Sequence, residues 1–201
     1  MVRSDPLQSF LDTAFIAFDQ FANDLRARQS IMQIFVYLEA PQAQRQTAAT
    51  HLPVCGRYLD NTLAAKTGLL ALDAMVERFK ALEPALEWKP RATYDSTASE
   101  NFLMGHANTM IVGPGGFEDR GDVWLGATLL APNVRYPDHE HAPEETYLML
   151  SDGEFMSGKS GWFSPGAGGS FYNPPRIRHA MRSGDKPLLA FWALLPDQQK
   201  H

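Results

Sequence analysis

Two hydropathic periods divide this chain. From Asp5 to about Glu87, apolar positions recur at spacings of three and four, as one face of a helix requires. Leu11, Ala14, Phe15, Phe18, Phe21, Ala22 and Leu25 form the first such stripe. Ser4 and Asp5, ahead of Pro6, offer capping and first-turn chemistry for its start. A second apolar run covers 31–38, and Pro41 marks its end. Leu72, Met75, Val76, Phe79 and Leu82 make another stripe, closed by Pro84. Core packing accounts for these stripes, and no chemistry is assigned to them.

After Trp88-Lys89-Pro90 the texture changes, and short apolar runs alternate with turns. Strands are expected over 101–112, 123–130, 145–150, 153–156, 169–172, 179–182 and 188–195. The turns between them include Gly113-Pro114-Gly115-Gly116, Ser151-Asp152-Gly153, Gly166-Ala167-Gly168-Gly169 and Ser183-Gly184-Asp185. Short strands at this spacing read as an antiparallel sandwich or barrel. The predicted layout is mainly β with an α-helical N-terminal section. Residues 1–88 form that section, packed on or extending a β-barrel of residues 89–201.

Composition narrows the function classes. A chain of 201 residues has room for one main core. With 44% hydrophobic and 20% charged residues it reads as an ordinary soluble globular protein. A net charge of -5, with no long basic run, argues against nucleic acid and against an anionic membrane surface as partners. The single Cys55 excludes an intramolecular disulfide framework and reads as an inert thiol of the helical half. No segment approaches the roughly 20 apolar residues that span a bilayer. The start, Met1 to Pro6, runs into Asp12, Asp19 and Asp24 rather than into a signal-peptide core. A cytoplasmic protein is expected, and an exposed barrel edge or helical stripe leaves a homo-oligomer open.

The chemistry concentrates in one cluster. His139-Glu140-His141 is followed by Glu145 and Tyr147, with His179 further on. Side chains repeat direction every two residues along a strand, so His139, His141, Glu145 and Tyr147 can share a face. A later strand carrying His179 could complete a metal site of three or four ligands with an open position, the kind that does chemistry. Such donors suit zinc or iron first, with manganese, nickel or cobalt also accepted. His139 either binds the metal or holds a substrate or water beside it. Glu140 and Glu144 have the opposite parity and are expected to face outward, and Arg176 and Arg178 read as solvated surface charge. His51, His106 and the terminal His201 are not counted as ligands.

His139-x-His141-x3-Glu145 resembles the first motif of the cupin superfamily, with Gly153 one residue beyond the place of its closing glycine. Gly168, Pro174 and His179 match the spacing of the second cupin motif. Arg176 stands where that motif has Gly, and Ser183 where it often has Asn. The resemblance implies a cupin β-barrel, a double-stranded β-helix or jelly roll. A narrower resemblance follows. The run from His139 to Tyr147, and Tyr172-Asn-Pro-Pro-Arg-Ile-Arg-His179-Ala-Met, are similar to the cupin-type lyases that cleave dimethylsulfoniopropionate (DMSP), of the DddQ, DddL and DddW kind. The order of helices first and barrel last resembles the DddQ type in particular. That similarity implies one bound metal, a Tyr two residues after the ligand Glu, and β-elimination to dimethyl sulfide and acrylate.

The residues are consistent with this reaction. A metal on the substrate carboxylate would stabilise the charge that develops as the adjacent proton leaves. Tyr147 is the candidate base. A free phenol titrates near 10, and a nearby divalent cation favours the phenolate. The leaving sulfonium is a soft cation that aromatic faces attract. Tyr136, Trp192, Trp124 and Tyr172 are the candidate substrate-binding residues, and Trp162 lies in the same half. The apolar run 188–195 does not tell whether Trp192 or Phe191 points inward. Rival readings are a cupin dioxygenase, a non-catalytic small-molecule-binding cupin and a sugar isomerase.

Overall fold

The computed structural model describes residues 2–45 and 49–197. His201 lies outside them. Four helices come first: α1 (Asp5–Phe21), α2 (Leu25–Leu38), α3 (Pro53–Ala64) and α4 (Leu70–Leu82). Helix α1 buries Leu7, Phe10, Leu11, Ala14, Ala17 and Phe18, the inward stripe its spacing predicts. The stripe stops at Ala22, because the chain turns there. Asp24 caps α2 by accepting the Arg26 N–H at 2.7 Å, and Leu25 is left 70% exposed. Ser4 stands at the N-cap of α1, yet its hydroxyl makes no capping bond. Asp5 does lie in the first turn. Helix α4 gives way to a 3₁₀ turn at Glu83–Ala85, around Pro84.

The strands are β1 (Trp88–Lys89), β2 (His106–Gly113), β3 (Glu118–Asp119), β4 (Trp124–Leu130), β5 (Glu144–Met149), β6 (Glu154–Ser157), β7 (Ser170–Asn173), β8 (His179–Arg182) and β9 (Leu188–Leu195). Each of the seven expected strands forms, with one correction. The first residues of the 101–112 run make a helical turn, α5 (Phe102–Gly105), before β2 begins. Trp88 already pairs with Thr109 at the edge of the sheet. The larger sheet runs β1-β2-β4-β9-β5-β7, with β3 beside β2, and β6 pairs with β8 in a second sheet. Apart from the short parallel pair of β2 and β3, these ladders are antiparallel.

The register sorts side chains to two faces. Gly126 lies opposite Trp192, and Tyr147 lies opposite Trp192 on the other side. Trp192 therefore faces inward with Glu145, Tyr147, Trp124 and Thr128. Phe191 faces the helices, 5.0 Å from Phe79 and 6.2 Å from Phe10 between ring centroids. Burying aromatic surface there welds α1 and α4 to the sheet. Cys55 is 2% exposed, and burial pushes its thiol up to about 11, so it is not a nucleophile at neutral pH.

A buried ion network forms a second weld. Glu118 accepts from Arg3 Nε at 2.5 Å and from Arg120 Nη1 at 2.9 Å. Arg120 also donates to the carbonyls of Ala40 and Tyr37 and pairs with Asp122. Glu118→Ala removes the shared anion and leaves two buried guanidinium groups without it. Loss of about 3–5 kcal/mol of stability is expected, read as the shift of the urea unfolding curve.

Candidate metal centre

His139, at the end of the loop that leads to β5, and His179, at the start of β8, form an antiparallel backbone bridge. The His139 N–H donates to the His179 carbonyl at 3.0 Å, and the return bond is 2.9 Å. This places the two imidazoles 4.0 Å apart between centroids. His141 follows two residues later, and its carbonyl accepts the Arg176 N–H. Glu145 arrives from β5. Its Oε2 lies 3.3 Å from His141 Nε2 and 3.2 Å from His179 Nε2.

The three rings share one device. Nδ1 of His139 donates to the Pro137 carbonyl, that of His141 to Pro143, and that of His179 to Ile177, each at 2.9 Å. A carbonyl only accepts, so each Nδ1 carries a proton, and in the neutral ring Nε2 then keeps its lone pair. Second partners of this kind orient metal-binding histidines. One ligand atom from each of the three rings lies within 4.8 Å of the others. His179 Nε2 is buried and has no properly directed hydrogen bond, although Glu145 sits at ion-pair distance. A buried lone pair without a donor is what a divalent cation satisfies. The donor set fits a metal.

The electrostatics agree. Burial, and then the neighbouring His179, hold His139 down at about 3, so its ring is neutral and able to ligate. Burial raises the Glu145 carboxyl, but the His141 and His179 rings beside it outweigh that and hold the group well below the usual carboxylate range. Burial lowers His141, and Glu145 more than offsets that. Burial, followed by the charge of Glu145, pushes the Tyr147 hydroxyl well above the ordinary phenol value.

A cavity of about 160 Å³ opens beside these groups. That is smaller than the roughly 300–1,000 Å³ of drug-sized sites and suits a small ligand. Among its walls are His139, His141, Glu145, Tyr147, Tyr136, Trp124 and Trp192. Three of the four aromatics expected to bind substrate are therefore present. Tyr172 is the exception. It sits opposite Thr146 in the β5–β7 ladder, on the face away from Tyr147. Its hydroxyl donates to Glu144 at 2.6 Å, and Arg26 covers its ring. Phe171 takes the inward position and stacks on Tyr147 at 5.0 Å. Trp162 packs under Arg182 and Arg135 instead.

Asn108, Thr128 and Arg91 also line the cavity, and no motif announces them. Trp192 Nε1–H donates to Thr128 Oγ1 at 3.1 Å, and Thr128 donates to Asn108 Oδ1 at 2.7 Å. Asn108 Nδ2–H then donates to the Tyr136 hydroxyl at 3.2 Å. Alternation along β2 and β4, with polar residues on an otherwise apolar face, is the signal that could have found Asn108 and Thr128. His106 is fully buried against Phe102 and lies outside the cluster. Arg178 pairs with Asp138 at the surface, and Arg176 is exposed.

Comparison with known proteins fits this architecture. The fold is a cupin β-barrel preceded by helices, and the class is that of carbon-sulfur lyases. Residues 26–190 match the dimethylsulfoniopropionate lyase family, and the chain belongs to it. Dimethylsulfoniopropionate lyase DddQ of Ruegeria pomeroyi is 24% identical over 192 residues, covering 94% of this chain and 90% of that protein. The crystal structure of DddQ from that organism superposes with a TM-score of 0.67 at 20% identity, covering 98% of this chain and 95% of that one. A structure described under the DMSP lyases RdDddP and RnDddQII reaches 0.69 at 19% identity, covering 96% and 94%. Among the described residues no helix is long and apolar enough to cross a membrane.

Two outcomes test the site. His179→Ala should lower bound transition metal well below one per chain, read by elemental analysis of the purified protein. A Cβ at Gly126 would run into the Trp192 indole and the Thr109 carbonyl. Gly126→Ala should therefore displace the indole and lower stability by about 1–3 kcal/mol, read as a shift in thermal unfolding and in tryptophan emission.

Proposed function

We propose that this protein cleaves dimethylsulfoniopropionate by β-elimination, with Tyr147 as the general base. The observation that carries the reading is the inward register of β5. It sets Glu145 and Tyr147 on one wall of the cavity, opposite Leu194 and Trp192 of β9. His139, His141, Glu145 and His179 would hold one divalent ion. Zinc or iron suits this donor set best, and manganese, nickel and cobalt also fit it. When bound, such an ion would draw charge from the substrate carboxylate and lower the Tyr147 hydroxyl.

The chain's own groups then do the following. Tyr147, as phenolate, takes the proton from the carbon next to the carboxylate. The C–H electron pair becomes the new C=C bond, and the C–S bond breaks with its pair on sulfur. Dimethyl sulfide and acrylate result, and the proton remains on Tyr147 until solvent removes it. Trp192 and Trp124 present aromatic faces to the sulfonium. Burial of Tyr147 and Glu145 keeps bulk water from the reacting carbon.

Residues 1–88 are read as a section that braces the barrel of residues 89–201. The lone, buried Cys55 suits a reducing cytoplasm.

Purified protein should release dimethyl sulfide from dimethylsulfoniopropionate into the headspace without oxygen. Oxygen-dependent turnover would instead mark a dioxygenase. Tyr147→Phe should lower the rate by about 10²–10⁴-fold, with metal content unchanged. Full activity in that variant removes the base assignment.

A further inference from the structure

We infer that Arg91 binds the carboxylate end of the substrate and so decides which way round a zwitterion lies in the cavity. This rests on the lyase reading above.

Arg91 is held in place before any ligand arrives. Its backbone N–H donates to His106 Nε2 at 2.7 Å, and its Nε–H donates to the Thr93 carbonyl at 2.8 Å. His106 is itself fixed, stacked on Phe102 at 3.8 Å with its Nδ1–H donating to the Phe102 carbonyl. The guanidinium carbon lies 5.6 Å from the centre of the Tyr136 ring, and Arg91 lines the cavity beside the metal-site histidines.

Its charge is uncommitted. Nearby arginines have acidic partners: Arg135 and Arg178 pair with Asp138, and Arg182 pairs with Glu154. Among the described residues no carboxylate forms an ion pair with Arg91. A guanidinium carries five N–H donors. Thr93 takes one, and the Tyr136 ring lies within cation–π range. A partly buried, pre-set fork of this kind matches the two oxygens of a carboxylate. The same charge repels a sulfonium, which leaves that end to the Trp192 and Trp124 faces. One orientation of the zwitterion is favoured on both counts.

Propionate has the carboxylate and lacks the leaving group, and propionamide is its neutral counterpart. Both are titrated calorimetrically into the metal-loaded enzyme and into Arg91→Gln and Arg91→Met, with melting curves to identify folded variants. Propionate should bind roughly 10- to 100-fold more weakly to the variants, as expected for losing a charged hydrogen-bonded pair. Propionamide should bind all three proteins alike. The KM for dimethylsulfoniopropionate should rise by a similar factor, with kcat within a few-fold of the parent. Unchanged propionate affinity in either folded variant overturns the inference. So does an equal loss for propionamide, or an effect confined to kcat. If the parent releases no dimethyl sulfide yet binds propionate through Arg91, the lyase reading falls and the carboxylate site stands.

Discussion

The site depends on one constraint, the antiparallel register of β4, β9 and β5. Side chains alternate across a strand, so a slip of one residue would send an entire wall to the other face. Here Gly126, Trp192 and Tyr147 fall in one line across three strands. The missing side chain at Gly126 is what lets the Trp192 indole lie flat over β4. Thr128 then fixes the indole through Nε1, and Asn108 ties the same chain to Tyr136. Sheet pairing thus sets direction, and a hydrogen-bonded row of side chains sets distance.

A great deal of this was legible in the residues. The switch from helical to strand period near Trp88 marks where the sheet starts, and each expected strand forms. Glu145 and Tyr147 share a face because 144–149 is one unbroken strand, whereas His139 and His141 lie in the loop before it and are placed by the bridge to His179 and by the Arg176 N–H. The misses have a common cause. Tyr172 and Phe171 are adjacent aromatics, and only the β5–β7 pairing decides that Phe171 meets Tyr147. The run 188–195 is apolar on both faces, since one meets the helices and the other the cavity, so its pattern could not choose between Phe191 and Trp192. Arg91 lies in a loop with no period at all, and its place is set by the contacts of His106 and Thr93.

The departures from the second cupin motif are also instructive. Arg176 replaces the expected glycine, and its φ is 62°, in the left-handed region that glycine enters freely. The turn thus holds an arginine in a conformation that suits glycine. The Arg176 N–H donates to the His141 carbonyl, so that strained residue belongs to the frame of the histidine cluster. Ser183, at the usual place of asparagine, accepts from the Val134 N–H and donates to the Ala131 carbonyl. It secures the turn that leads to Tyr136. Different side chains thus meet the same backbone needs.

The charges complete the argument. Two buried anions organise this molecule in opposite ways. Glu118 is surrounded by Arg3 and Arg120 and is spent on holding the chain's start against β3. Glu145 faces imidazoles and the Asn173 amide and, among the described residues, pairs with no guanidinium or ammonium group, so its negative charge is only partly met. Burial makes that shortfall expensive, and a divalent cation among the same groups removes it. The field left at the cavity is then positive at the histidines and at Arg91, and aromatic and neutral at Trp192 and Trp124. A ligand that is anionic at one end and softly cationic at the other answers that polarity, whereas an ordinary cation has no place to lie.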